Sequence, residues 1–329
     1  MERRSVMSHR IVIIFSICLL ILPSALYSDK LTQANKHYKE GEYEEAFMMY
    51  KDLSTEGNPE AMYTLGVMYF DGVGVEQNYK EGIRWFKAAA DEGLVKAQFS
   101  LGMKYFQGEG VPQDRQEAFK WYRIAAENGD PESQNFLGFM LSFGEGVIKD
   151  KERAVQWYRK AAEQGHPEAQ HNLGLMYEKG EGVEKNEEKA SEWFRKAAQQ
   201  GLAKAQFSLA LDYFTGNGAE KDKREALRWY LKAAGQGHPK AQNHLGIMYN
   251  KGDGVKVDQK KAIEWFEKAA EQGNPRAQFN LGRLYCLSEK YRDMKMGAYW
   301  VRKAYDNGVE EAGDFWDEME LDKYLGESQ

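Results

Sequence analysis

The chain has 329 residues, 42% of them hydrophobic and 13% aromatic, with a formal net charge of −6. That apolar content excludes a disordered chain. The acidic balance argues against a nucleic-acid binder, whose affinity rests on neutralising phosphates, and gives no reason to expect an anionic membrane surface as partner.

At the N-terminus, Arg3, Arg4 and Arg10 precede the apolar run Ile11 to Leu22, and Pro23, Ser24, Ala25, Leu26, Tyr27 and Ser28 follow. This is the three-part layout of a secretory signal peptide over residues 1–28. The run of 12 residues is short of the roughly 20 that a spanning helix needs. An uncleaved anchor is the alternative. Cys18 lacks the small residues that a lipoprotein site wants before it. Without the leader the net charge is −8 and one cysteine remains, Cys286, so no internal disulfide is expected. No Asn-x-Ser/Thr sequon occurs, which tilts the compartment from the ER lumen toward a bacterial periplasm or secretion.

Residues 29–56 carry Tyr38, Gly41, Tyr43, Ala46 and Tyr50, a shortened helix pair with Met49 where later units place tryptophan. From there the sequence repeats. Gly57, Gly93, Gly129, Gly165, Gly201, Gly237 and Gly273 recur every 36 residues, a period that signals stacked supersecondary units. The seven units are 57–92, 93–128, 129–164, 165–200, 201–236, 237–272 and 273–307.

Each unit predicts two helices. Pro59, Pro131, Pro167, Pro239 and Pro275 suit a first helical turn, with Asn58, Asp130 and Asn274 as caps. A small residue, a leucine and usually a tyrosine then follow at four-residue spacing, as in Ala169, Leu173 and Tyr177, which is one helical face. A glycine follows the leucine in six units, with Ala210 as the exception. A mid-helix glycine costs roughly 1 kcal/mol against alanine, so a neighbouring helix must approach closely there. The Gly-x-Gly that follows, as in Gly180-Glu-Gly182, ends the helix in a left-handed conformation; it follows no strand and lacks the third glycine of a phosphate loop.

Asn78, Asp114, Asp150, Asn186, Asp222 and Asp258 cap the second helices, and Glu81, Glu117 and Glu225 suggest capping boxes. Seven residues beyond the cap stands Trp85, Trp121, Trp157, Trp193, Trp229 or Trp265, read as core, with Trp300 one residue early. The aromatic after it and a closing alanine pair such as Ala161-Ala162 complete the inter-helix seam.

The unit read as Ala169-Gln170, Leu173-Gly174, Tyr177, Gly180-Glu-Gly182-Val183, Lys189-Ala190, Trp193-Phe194 and Ala197-Ala198 resembles the Sel1-like repeat, a relative of the tetratricopeptide repeat. The resemblance covers residues 57–307 and implies an all-α, right-handed α-solenoid of antiparallel helix pairs with a concave partner-binding surface. It also implies an adaptor or assembly factor, commonly exported by bacteria. Both ends depart from the pattern: the seventh unit has Ser288-Glu-Lys290 in place of Gly-x-Gly, and residues 308–329 form an acidic capping helix with Asp317 where the packing glycine stood.

Residues that vary between units are free for recognition. By resemblance to tetratricopeptide arrays, the concave stripe is Tyr63, Phe99, Asn135, His171, Phe207, Asn243 and Phe279, with Phe70, Phe106, Glu178, Phe214 and Asn250 two turns on. Aromatic rings with Asn and His between them suit a protein or peptide partner; packing between neighbouring helices is the competing reading. A Phe99/Phe207/Phe279 to Ala variant is expected to stay folded and lose its partner. The chain is expected to act as a monomer, without nucleic acid and without membrane insertion once the leader is gone.

No enzyme is expected. Some cysteine-rich relatives are linked to β-lactam hydrolysis, which makes such a hydrolase the main alternative, with an ER-lumen adaptor as another. The paired cysteines, Ser-x-x-Lys and Lys-Thr-Gly are all missing. His166/His171 and His238/His244 lie in different registers and lack a carboxylate companion, so no metal or other cofactor is expected. Histidines near helix starts are expected to face solvent.

Overall fold

The computed structural model describes residues 29–324. The proposed signal peptide and the last five residues of the C-terminal segment lie outside the described residues. The chain divides into two compact units, residues 1–150 and 151–329. Among the described residues there are helices and no strands, an α-solenoid of helix pairs.

The first unit holds α1 (29–40), α2 (Tyr43–Thr55), α3 (Pro59–Asp71), α4 (Tyr79–Asp91), α5 (Val95–Gln107), α6 (Arg115–Glu127) and α7 (Pro131–Phe143). The second holds α8 (Lys151–Glu163), α9 (Pro167–Lys179), α10 (Glu187–Gln199), α11 (Ala203–Thr215), α12 (Lys223–Gly235), α13 (Pro239–Lys251), α14 (Gln259–Glu271), α15 (Pro275–Leu287), α16 (Met294–Asp306) and α17 (Glu310–Glu318), then a 3-10 turn, Leu321–Tyr324. From α3 to α15, odd-numbered helices open a repeat and even-numbered ones close it.

The helix starts follow the sequence. Asn58, Asp130 and Asn274 accept from the N–H groups of Ala61, Ser133 and Ala277. Asn78, Asp114, Asn186, Asp222 and Asp258 cap α4, α6, α10, α12 and α14 the same way. Asp293 caps α16, a position not singled out from sequence. The capping boxes do not close. The Asn78, Asp114 and Asp222 N–H groups donate to the carbonyls of Tyr69, Tyr105 and Tyr213 instead. Glu81, Glu117 and Glu225 pair with Arg84, Lys120 and Arg228 along their own helices.

The core lies where the two helices of a repeat meet. Leu65, Leu101, Leu173, Leu209, Leu245 and Leu281 are buried, as are the alanine pairs. Glycine admits a ring at this seam: a Cβ on Gly174 would stand 2.7 Å from Cδ1 of Phe194. The rings after the tryptophans, Phe86, Tyr122, Tyr158, Phe194, Tyr230 and Phe266, are all buried. The tryptophans are only partly core. Trp121, Trp229 and Trp300 are buried, whereas Trp85, Trp157, Trp193 and Trp265 are half-buried. Lysines three residues on cover Trp157, Trp193, Trp229 and Trp265, with Nζ 3.8–4.3 Å from the ring centroids. An ammonium over an indole face is favourable and shields its outer edge.

A glutamine joins successive repeats. Gln98, Gln134, Gln170, Gln206, Gln242 and Gln278 are buried, and each Nε2 donates to the last alanine carbonyl of the preceding second helix. The second glycine of the Gly-x-Gly loop reaches back one repeat. Gly254 has φ 71°, and a Cβ there would lie 2.6 Å from the Lys223 carbonyl oxygen.

Candidate functional site

The stripe positions project from the first helices. In the first unit Phe70 and Asn135 are buried, and Tyr63, Phe99 and Phe106 are half-buried. In the second unit His171 and Asn243 are buried, and Glu178, Phe207, Phe214, Asn250 and Phe279 are half-buried. Phe99 lies 5.7 Å from Tyr122 and 5.9 Å from Phe136. Phe207 stacks 4.9 Å from His238 and lies 5.8 Å from Tyr230. Phe279 meets Phe315 at 5.8 Å. Polar members bridge the same gap: His171 Nε2 lies 3.3 Å from Ser208 Oγ, and Asn280 Nδ2 donates to Asn243 Oδ1 at 2.9 Å. These rings therefore wedge between consecutive helices, and only their outer edges reach solvent. This packing favours the competing reading for Phe99, Phe207 and Phe279, since truncating each ring would empty part of a seam.

The histidines also differ from expectation. His166 and His238 are caps, their Nδ1 atoms accepting from Ala169 and Ala241 N–H at 3.2 Å. His171 is buried with Nδ1 unpartnered. Burial, with Lys204 and His238 adding to it, pushes its pKa down to about 3, so the ring is neutral. Among the described residues no group of three or more His, Cys, Asp or Glu side chains is placed to hold a metal ion. Cys286 is buried, and burial pushes its thiol up to about 11.

Lys104 and Asp212 are the charged residues at a position that is otherwise methionine or leucine, and Asp212 is the buried one. Asp212 of α11 takes the place of Met68, Met140, Met176 and Met248 and is 6% exposed. Its Oδ2 has no hydrogen-bond partner. Burial raises its pKa to about 7; the nearby Ser191 hydroxyl opposes this without a well-formed bond, Glu178 and Glu187 add to it, and Arg195 opposes it.

A second row, unnoticed in the sequence, lies four residues beyond the stripe. It holds Val67, Met103 and Phe139 in the first unit and Leu175, Leu211, Ile247 and Arg283 in the second. The apolar members are half-buried and Arg283 is exposed. Phe143, one turn further, is 65% exposed and packs 4.9 Å from Phe139. The available signal was a position varied in identity yet apolar in six units. Cations lie above several stripe rings: Lys96 over Tyr63, Lys104 over Phe70, Arg115 over Phe106, Lys223 over Phe214 and Arg283 over Phe279, at 4.0–5.8 Å. A cleft of about 300 Å³ opens on this face between α13 and α15.

The Sel1 repeat family model matches residues 59–94, 95–130, 131–166, 167–202, 203–238, 239–274 and 275–309. The chain belongs to the Sel1 repeat family. No curated protein matches it. Among solved structures it is similar to c5321, a protective antigen of uropathogenic Escherichia coli with a Sel1-like fold, at 33% identity and TM-score 0.83 over 89% of this chain. The chain spans 65% of that antigen's length. It is also similar to a Sel1 repeat protein from Oxalobacter formigenes, at 40% identity and TM-score 0.66, over 74% of this chain and 99% of that one. Sel1 repeats form a fold commonly used as a protein-interaction scaffold. No described helix of this Sel1 protein is long and apolar enough to cross a membrane.

Proposed function

We propose that this Sel1 protein is an exported scaffold that holds a protein or peptide partner on the surfaces that the first helices present in each unit. The observation that carries this reading is the half-buried apolar row within each unit, Val67, Met103 and Phe139 with the exposed Phe143 in the first and Leu175, Leu211 and Ile247 in the second. A surface of varied hydrophobes on rigid helices offers contact area without a side chain arranged for chemistry. The outer edges of Tyr63, Phe99, Phe106, Phe207, Phe214 and Phe279 border it. Residues 1–28 supply the export signal, and the likeness to a protective antigen supports an envelope or host-contact setting. The protein works as a monomer and needs no cofactor.

Fractionation of the native host with an antibody to the repeats tests export: a periplasmic or secreted, shortened chain is expected, and a cytoplasmic full-length chain would contradict it. Phe143→Ser with Leu211→Ser tests the face. The double variant is expected to melt like the parent and to lose the partner captured from envelope extract. Full retention of that partner would place binding elsewhere.

A further inference from the structure

The cleft between α13 and α15 arises from two local losses. In the first repeat a stripe ring fills the space under the next repeat's loop: Phe70 packs so closely beneath Gly110 that a Cβ there would stand 2.7 Å from Cζ. Ser142, Glu178 and Asn250 carry no ring at the matching position in the third, fourth and sixth repeats, and only after Asn250 does the next repeat also lack its Gly-x-Gly loop. The loop that would close the gap is also gone. Gly254 lies against the carbonyl of Lys223, the first residue of α12, but in the seventh repeat the corresponding residue is Lys290. Ser288 ends α15 in an extended conformation, and its Oγ donates to Gln259 Oε1 at 3.0 Å. The cleft is thus floored by Phe266 and walled by Ile247, Leu284 and Leu287, with the Asn250 and Asn280 amides inside it.

Charge marks this cleft apart from the rest of the face. Four of the five cations above stripe rings are paired with carboxylates: Lys96 with Glu60, Lys104 with Glu109, Arg115 with Glu145 and Lys223 with Asp253. Arg283, the fifth, has no carboxylate partner among the described residues, nor does Lys251 on the opposite wall. No acidic side chain lines the cleft. Arg283 is also held in place, 5.5 Å from the Phe279 centroid and 5.7 Å from that of Phe315. In a chain of net charge −6, two unpaired cations around an apolar floor make a receptor poised for an anion. A pre-positioned guanidinium favours a carboxylate through bidentate hydrogen bonds.

We propose that the α13/α15 cleft binds an extended, acidic segment of the partner protein, with a carboxylate between Lys251 and Arg283 and an adjacent apolar side chain against Ile247 and Leu287. The Asn250 amide and the Asn280 oxygen face the segment's backbone, while Asn280 Nδ2 stays bonded to Asn243 Oδ1. This rests on the scaffold reading of the first-helix face, and it selects the chemistry of one end of that face.

The test is a randomised nonapeptide array probed with the full-length protein and with its Lys251→Glu/Arg283→Glu variant. Both residues are exposed, and an unchanged melting curve confirms that the variant is folded. Acidic peptides carrying a hydrophobe beside the acid should dominate binding to the parent. Their signal should fall at least tenfold in the variant, and lysine-containing peptides should rise. Selection of the same peptides by both proteins would overturn the proposal, as would loss in the variant of a dimer formed by the parent, which would make the occupant a second copy. Phe143→Ser/Leu211→Ser leaves this cleft intact, so failure of the array with retained sensitivity to that variant would remove the cleft proposal and keep the scaffold.

Discussion

Gln170 donates through Nε2 to the carbonyl oxygen of Ala162 at 3.1 Å, eight residues back across a repeat boundary. Its Oε1 accepts from Gln200 Nε2 at 2.9 Å. One buried side chain thereby ties the ends of α8 and α10 to the start of α9. The Ala162 carbonyl still accepts from Gly165 N–H, so removing the side chain costs about 0.5–1.5 kcal/mol for each hydrogen bond lost. Gln170→Leu should lower the urea midpoint accordingly. Amide exchange should rise around α8 and α9 ahead of α14 to α16, because solenoid coupling runs between neighbours.

Gly174→Ala should destabilise, although alanine is the better helix former by roughly 1 kcal/mol. The added methyl would meet the Phe194 ring 2.5–2.7 Å away. Overpacking of this kind costs about 1–3 kcal/mol. Ala210 shows how a repeat tolerates the methyl when its seam is built for it. Ala210→Gly should therefore also destabilise, and chemical denaturation of both variants checks the pair.

Asp212 makes stability depend on pH. Its folded pKa, about 7, lies above the ordinary 3.8. Between those values the folded state holds a proton that the unfolded state has released, so this group's contribution falls as pH rises from about 4 to 7. At about 1.4 kcal/mol per unit the loss is roughly 4 kcal/mol. Asp212→Met, which restores the residue of neighbouring repeats, should raise the urea midpoint at pH 8 far more than at pH 4. His171 acts with the opposite sign. Its pKa is lowered to about 3, so its contribution is complete above 6.5 and is lost as pH falls. His171→Asn, the residue at positions 135 and 243, should flatten that acid limb in the same titration.

The Phe99→Ala/Phe207→Ala/Phe279→Ala variant should melt earlier and less cooperatively. Ring truncation in a packed site costs about 3–5 kcal/mol when burial is complete, and less at these half-buried positions. Thermal melts of the three single variants should each be lowered, because each ring meets a different partner: Tyr122, Tyr230 and Phe315.

Much of this fold is local and therefore legible. Pro167, Leu173, Gly174 and Asn186 act within one repeat, and their spacing alone assigns helix, seam and cap. Burial of the stripe was not legible, because helical periodicity places Phe99 and Phe207 on a face without saying how near the next helix comes. The cleft was harder still. Asn250 and Lys290 read as ordinary variation until the packing of Phe70 beneath Gly110, and of Gly254 against Lys223, shows what those positions fill in other repeats.

The most direct test of the scaffold account is site-specific photo-crosslinking in the native host. A photoreactive residue is placed in turn at Met103, Phe143, Leu211 and Ile247 on the first helices, and at Lys160, Lys196, Lys232 and Lys268 over the second-helix tryptophans. The account predicts that one partner band appears from the first set and is absent from the second. Crosslinks confined to the second set, or spread equally over both, would contradict it.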